Sequence, residues 1–275
     1  MFDLLHVLPI LALACYAASA ICLGAAAAGA GSQAAEGRRL AGLAIGIVAI
    51  AFHAFGIWRE VFVPSELALN ATDTASLVAL GIALIAVGSV VVRPRFAGAS
   101  AVLLLLAGLL AAMTDRGARE FAADHGGWEL AAHVLLATLA FAFMTVAAVL
   151  AISLATVERR LRRRQPLGPL AALPAMDTLE TSMFQSIGAG FALLSLALFS
   201  GFFFVDNLFA QHLVHKTVLA CAAWLIFGVL LAGRARFGWR GRTAIHWTLG
   251  GFALLGLAYF GSKLVLENVL GRHWG

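Results

Sequence analysis

Charged side chains are scarce in this chain. Asp, Glu, Lys and Arg make up 12% of its 275 residues, whereas apolar residues make up 62%. Average soluble domains carry about 25% charged residues, and apolar surface left in water costs roughly 25 cal/mol per Å². The shortage of charge therefore excludes an ordinary soluble domain and predicts that lipid surrounds most of the chain.

The alternation that builds a membrane β-barrel is also missing. Barrel strands show about ten residues of alternating polar and apolar character, whereas Leu130–Val157 is continuously apolar. Backbone amides inside lipid must be paired within the protein, so the spans are helices. The predicted fold class is all-α, a polytopic integral membrane protein with about eight transmembrane helices.

Cysteine is rare and forms no recognisable pattern. Cys15, Cys22 and Cys221 all fall in apolar segments, and none belongs to a CxxC pair. No thiol relay, zinc site or disulfide framework is indicated. The N-terminus also lacks the positive region that opens a signal peptide, which predicts that the first apolar segment is a retained helix.

Eight apolar stretches are long enough, or nearly so, to cross about 30 Å of hydrocarbon. Only Arg93, Pro94 and Arg95 separate the third stretch from the fourth, which predicts an antiparallel hairpin. We predict one transmembrane domain over 1–275, with a five-span half (1–157), a connection (158–183) and a three-span half (184–275). The predicted spans are Leu4–Ala28, Leu40–Phe62, Thr74–Val92, Phe96–Thr114, Leu130–Val157, Phe184–Val205, Thr217–Gly233 and Thr243–Leu266.

Basic residues are distributed unequally across the predicted membrane. Connections that follow odd-numbered spans hold thirteen Lys and Arg residues, and the opposite side holds six. By the positive-inside rule both termini lie outside the cytoplasm, which fits a multi-pass protein of the bacterial inner membrane. The net charge of +5 sits in short clusters between apolar runs, so nucleic acid is not a predicted partner.

Histidines gather on the predicted outer half of the membrane, which holds seven of the eight. His53 lies 13 residues, or about 20 Å, into the second span. An ionisable residue at that depth is costly and is by default a functional candidate. His133 lies near the outer start of the fifth span. Neutral imidazole is a good ligand for haem iron, and four basic residues on the same side suit haem propionates: Arg116, Arg119, Lys216 and Arg272.

Several short stretches of the C-terminal part form a recognisable pattern: Asn207–Phe209, His215–Ala220, Ala223 with Trp224, Gly238–Arg242 and Ala258–Lys263. In these stretches the chain resembles the cytochrome c assembly family of CcsA/CcmC-like membrane proteins, and its YpjD-type branch in particular. The likeness is most specific over about 177–267 and is compatible with the first five spans.

This resemblance implies haem handling, in which haem b is moved to the outer face and presented for attachment to apocytochrome c. The family's histidines in an early span and at an outer span start correspond to His53 and His133, the implied ligands of haem iron. A family histidine after the last span corresponds to His273, and His215 is a further candidate. Haem, apocytochrome c, other assembly proteins and the lipid bilayer are the implied partners.

Two departures from the family pattern are visible. The tryptophan-rich external signature, of the WGxxWxWDxxET type, is absent, and Asp206–Lys216 stands in its place. The family histidine at the cytoplasmic end of the seventh span is also missing, because Ala232 occupies about that position. The full role in haem transport and ligation is therefore not predicted from the resemblance alone.

Three classes of function stay open. The leading hypothesis is a haem-binding protein that assists cytochrome c biogenesis, in an accessory role without catalytic residues. A scaffold or partner subunit that has lost haem chemistry is favoured by the missing signature and disfavoured by His53. A small-solute or proton transporter usually has paired acidic residues or broken helices at mid-membrane, whereas the Asp and Glu residues here lie almost all near span ends.

Overall fold

The computed structural model describes residues 4–59, 67–68, 71–113, 122–123, 128–204 and 214–268. Side chains are described over 7–59, 72–113, 130–202, 216–259 and at 261. Almost all of the described residues are helical, and two strands of two residues each, β1 (Leu67–Ala68) and β2 (Ala122–Ala123), pair antiparallel. The long helices are α1 (Leu4–Ala28), α2 (Gln33–Ile57), α3 (Ala71–Val92), α4 (Ala97–Ala112), α5 (Trp128–Arg162), α6 (Met176–Phe204), α7 (Val214–Phe237) and α8 (Gly241–Asn268).

The helices confirm a polytopic, all-α membrane protein. Among the described residues, α1 to α7 are each long and apolar enough to cross a membrane, α4 when taken with the turn that precedes it from Pro94. The last helix, α8, has 28 residues, which gives a length of about 42 Å. Its assignment as the eighth span stays a prediction, as does the outward orientation of both termini.

Several helix boundaries differ from the predicted spans, because helices continue beyond the apolar stretch. The second helix begins at Gln33, seven residues before the predicted Leu40, and the Ser32 hydroxyl accepts a hydrogen bond from the Ala35 amide at 3.1 Å. Such an N-cap satisfies an amide that the helix cannot pair itself. The fifth helix likewise runs on through a basic segment to Arg162. The predicted hairpin is confirmed, with a 3₁₀ turn at Pro94–Phe96 between α3 and α4.

The chain divides into two compact units. Unit 1 comprises 1–126 and 156–179, and unit 2 comprises 127–155 and 180–275. Most of α5 therefore groups with α6, α7 and α8 in unit 2. The predicted division into a five-span half and a three-span half stays a prediction, and it differs from this grouping in the place of α5.

Unit 1 is built around α1. Ala12, Tyr16, Ala20 and Leu23 are spaced three or four residues apart and are all buried, so they form one face of that helix. The helix packs on α2 and α4, and the Ser19 hydroxyl donates to a backbone carbonyl of α2 at 2.7 Å. A hydroxyl that reaches a neighbouring backbone in this way joins helices where hydrophobic driving force is absent.

Gly98 lies where α4 approaches the connection that follows α5. A Cβ built at this position would overlap the backbone carbonyl oxygen of Ala172, and it would also lie 3.4 Å from the Cβ of Ala27. Backbone cannot move aside as a flexible side chain does. We expect Gly98→Ala to destabilise the protein by about 1–3 kcal/mol, the usual cost of overpacking, measured as a fall in thermal midpoint in detergent.

Gly88→Ala is the matched control, since a Cβ at Gly88 in α3 would meet nothing within 4 Å. It should leave stability unchanged or raise it by up to ~1 kcal/mol through helix propensity. Equal midpoints for the two alanine variants would contradict the close approach at Gly98.

In unit 2 a buried carboxylate joins the ends of three helices. Glu180 near the start of α6 has 9% of its side chain exposed. One carboxylate oxygen accepts from Nη1 of Arg234 and from Nε of Arg240, both at 2.9 Å. The other accepts from the amide of Gly241, the first residue of α8, at 3.2 Å. Charge-assisted hydrogen bonds are the strong ones, so this cluster fixes the α7–α8 turn to α6.

Candidate functional site

His53 lies in α2 of unit 1 and is 6% exposed. Its Nδ1 is 3.1 Å from the hydroxyl of Tyr16 on α1, and its Nε2 is 2.9 Å from the hydroxyl of Ser76 on α3. Tyr16 and Ser76 are themselves buried. The imidazole therefore connects three helices through a chain of hydrogen bonds.

Both ring nitrogens of His53 are engaged in these bonds. A neutral imidazole has one N–H donor and one acceptor nitrogen, and here each has a hydroxyl partner in either tautomer. Iron ligation needs a ring nitrogen with a free lone pair. In the arrangement observed, hydrogen bonds to Tyr16 and Ser76 offset the desolvation of the buried His53 ring. One of these bonds would have to break before His53 could bind a metal.

His133 lies in α5 of unit 2 and is half-buried. Its Nδ1 is 2.9 Å from the Ser200 hydroxyl on α6. The ring also hydrogen-bonds the backbone of Ala197. The imidazole lies close to Gly201: a Cβ built at that glycine would be 3.1 Å from Cε1 of the ring.

The arrangement of His133 fits a ligand of haem iron. Metal-binding histidines almost always use one ring nitrogen for the metal, while the other donates to a polar group that fixes the ring. His133 has a contact of this second kind, between Nδ1 and the Ser200 hydroxyl. Further along unit 2, the Phe141 ring packs on Phe252 and Tyr259 at centroid distances of 5.5 and 4.8 Å.

The remaining predicted site residues are described only in part. The backbone of His215 is in α7, but its side chain lies outside the described residues, and His273 lies outside them entirely. Among the basic residues suggested for propionates, Lys216 is exposed at the start of α7, and Arg116, Arg119 and Arg272 fall outside. Within the described ranges, no group of three His, Cys, Asp or Glu side chains is placed to hold a metal ion.

Sequence reasoning did not find Tyr16, Ser76 or Ser200. Tyr16 carried a usable signal, because a tyrosine in the middle of an apolar span needs a partner for its hydroxyl. Serine gives no such signal, since its hydroxyl can bond its own helix backbone. Trp224 is a packing residue: its indole stacks on Phe191 at a centroid distance of 5.4 Å.

Comparison with known proteins gives the family. Residues 41–270 match the sequence profile described as cytochrome C assembly protein, which is most of the chain. The chain belongs to the cytochrome c assembly protein family. The resemblance drawn from the C-terminal residues is thereby confirmed, and membership of this family supports a role in cytochrome c biogenesis.

Relatives of two kinds are similar to the chain. Inner membrane protein YpjD of Escherichia coli (strain K12) is 34% identical over 137 residues, which is 50% of this chain and 52% of the relative. Cytochrome c biogenesis protein CcsA of Synechocystis sp. is 27% identical over 104 residues, or 37% of this chain and 31% of that protein. The matches thus span about half the length of the YpjD protein and less of CcsA.

No solved structure matches the chain. With the apolar helices, the similarity to an inner membrane protein identifies the chain as a multi-pass inner-membrane protein.

Proposed function

We propose that this protein binds haem b through His133 and assists cytochrome c biogenesis by holding haem for delivery at its outer face. Haem is cargo in this proposal. The single observation that carries it is the contact of His133 Nδ1 with the Ser200 hydroxyl at 2.9 Å, an arrangement that would direct Nε2 to the iron. The role is accessory: the proposal assigns binding and presentation to the protein and no catalytic residue.

Family membership and the CcsA relatives support the same direction. CcsA is described as a cytochrome c biogenesis protein, and presentation of haem to apocytochrome c is the step that a membrane haem carrier would contribute. The outer placement of His133 rests on the unequal distribution of basic residues. His53 as a second iron ligand, and His215 and His273 as further ligands, stay predictions.

The test is a haem titration of the purified protein in mild detergent. We expect a Soret band that grows with added haem and saturates near one haem per chain, because the proposal has one site. Ligation by a histidine nitrogen should shift and sharpen this band relative to that of haem free in micelles. His246→Ala serves as the control, since His246 is exposed on α8 and should not affect the band. A spectrum identical to that of haem in empty detergent would overturn the proposal.

That negative outcome would favour a scaffold or partner subunit without haem chemistry. One observation supports this second candidate: both nitrogens of His53 are hydrogen-bonded within unit 1, so this histidine has a structural role that requires no ligand. Co-purification of assembly proteins by the haem-free chain would then identify its partner.

A further inference from the structure

The hydroxyl of Ser200 contacts two groups at once. It donates to the carbonyl of Ala197 in its own helix at 2.9 Å, and it lies 2.9 Å from Nδ1 of His133. A serine hydroxyl has one hydrogen and two acceptor lone pairs. The one hydrogen cannot serve both contacts. When it is directed at Ala197, a lone pair of the hydroxyl makes the contact with His133, the imidazole is the donor, and the ring is the Nδ1–H tautomer.

Gly201 completes the surroundings of the ring. A Cβ built there would lie 3.1 Å from Cε1 and 3.7 Å from Nδ1 of His133, and the shorter of these distances is tighter than ordinary van der Waals contact. The ring thus lies against glycine backbone, beside the serine hydroxyl that its Nδ1 contacts. We call Ser200 and Gly201 together the imidazole seat.

We propose that the imidazole seat is a pair of positioning residues that selects the tautomer and place of His133, and thereby selects a ligand that accepts an electron pair. The Nδ1–H tautomer presents a lone pair on Nε2, which suits a metal centre such as haem iron. The opposite tautomer would present an N–H, which suits a carboxylate. This inference rests on the proposed haem binding and adds how the same site chooses its ligand.

Ser195 offers a closely matched control on the same helix. Its hydroxyl donates to the Phe191 carbonyl and accepts from the indole Nε1 of Trp224, both at 2.8 Å. Ser195→Ala therefore removes the same kind of two-way hydroxyl contact, with tryptophan in place of histidine.

The experiment has two readouts. Haem affinity is measured for the wild type and for Ser200→Ala, Ser200→Thr, Gly201→Ala and Ser195→Ala. Removal of a residue that orients a metal ligand typically lowers metal affinity 10–100-fold, so we expect a loss of about that size in Ser200→Ala, recovery in Ser200→Thr, and a loss in Gly201→Ala. Ser195→Ala should keep wild-type affinity.

The second readout is the ¹⁵N NMR spectrum of the haem-free, histidine-labelled protein, with His133 assigned from the spectrum of His133→Ala. Nδ1–H in the wild type and a tautomer mixture in Ser200→Ala support the imidazole seat. Unchanged tautomer and affinity in Ser200→Ala, or an equal affinity loss in Ser195→Ala, would overturn it. If the wild type binds no haem but Ser200 still controls the tautomer, the proposed function fails and the positioning role stands.

Discussion

Haem binding should disappear when His133 is replaced by alanine. The substitution removes the whole imidazole, which is the proposed iron ligand, whereas loss of Ser200 removes only a hydroxyl that contacts it. The fall in haem affinity should therefore exceed the roughly 10–100-fold that loss of an orienting partner typically causes. Titration of the purified variant, followed at the Soret maximum, measures the effect. The thermal midpoint of His133→Ala should stay near that of the wild type. A large fall in this midpoint would identify an unfolded variant.

His53→Ala is the informative counterpart. This change strands the hydroxyls of Tyr16 and Ser76 in the interior of unit 1, and unsatisfied buried groups cost about 1–3 kcal/mol. We expect a lower thermal midpoint and a retained Soret band, because both nitrogens of His53 are occupied within the protein. Phe52→Ala is the control. The Phe52 side chain is next to His53 in the sequence but is 37% exposed, so its loss should lower the thermal midpoint less.

The two outcomes separate the models for ligation. A retained band in His53→Ala, together with a lost band in His133→Ala, would assign the iron to His133 without His53. Loss of the band in a folded His53→Ala variant would instead support shared ligation, in which Tyr16 or Ser76 gives up its bond to the imidazole. A band of wild-type strength in His133→Ala would contradict the proposed site.

Glu180→Gln should produce the largest loss of stability. The amide keeps the shape of the side chain but removes the negative charge, and Arg234 is left half-buried beside the ring of Phe184, 4.7 Å from its centroid. Breaking a fully buried ion pair costs about 3–5 kcal/mol. The arginine side chains are 30% and 56% exposed, so we expect about 2–4 kcal/mol. Thermal unfolding in detergent would report it.

Glu158→Gln is the matched control. Glu158 bonds Arg162 one turn further along α5 at 2.7 Å, and that arginine is 65% exposed. Such pairs on a helix surface contribute about 0.3–0.5 kcal/mol, so the free energy of unfolding of the control should fall by no more than that. Similar thermal midpoints for the two glutamine variants would mean that Glu180 does not hold the α7–α8 turn.

Much of the fold could be predicted from the sequence, because length and hydropathy are local properties. The apolar stretches gave α1 to α7 as membrane helices, and Arg93–Arg95 marked the hairpin between α3 and α4. Helix ends were less predictable. The backbone pairs itself regardless of polarity, so α2 begins at Gln33 and α5 continues to Arg162, beyond the apolar residues in both cases.

The candidate site was predictable only in part. The high cost of an ionisable group in lipid drew attention to His53, and the resemblance drew attention to His133. Neither argument could tell the two residues apart chemically, since both are histidines in apolar helices.

The sequence by itself determined that the chain enters a membrane, that it does so as helices, and which family it belongs to. Composition and short motifs carry that information directly. Only the tertiary structure decided which hydroxyl groups each histidine contacts. The partners Tyr16, Ser76 and Ser200 lie 37, 23 and 67 residues away from the histidines they contact. Their contacts depend on how neighbouring helices are rotated against each other, and that rotation is set by packing of whole helix faces.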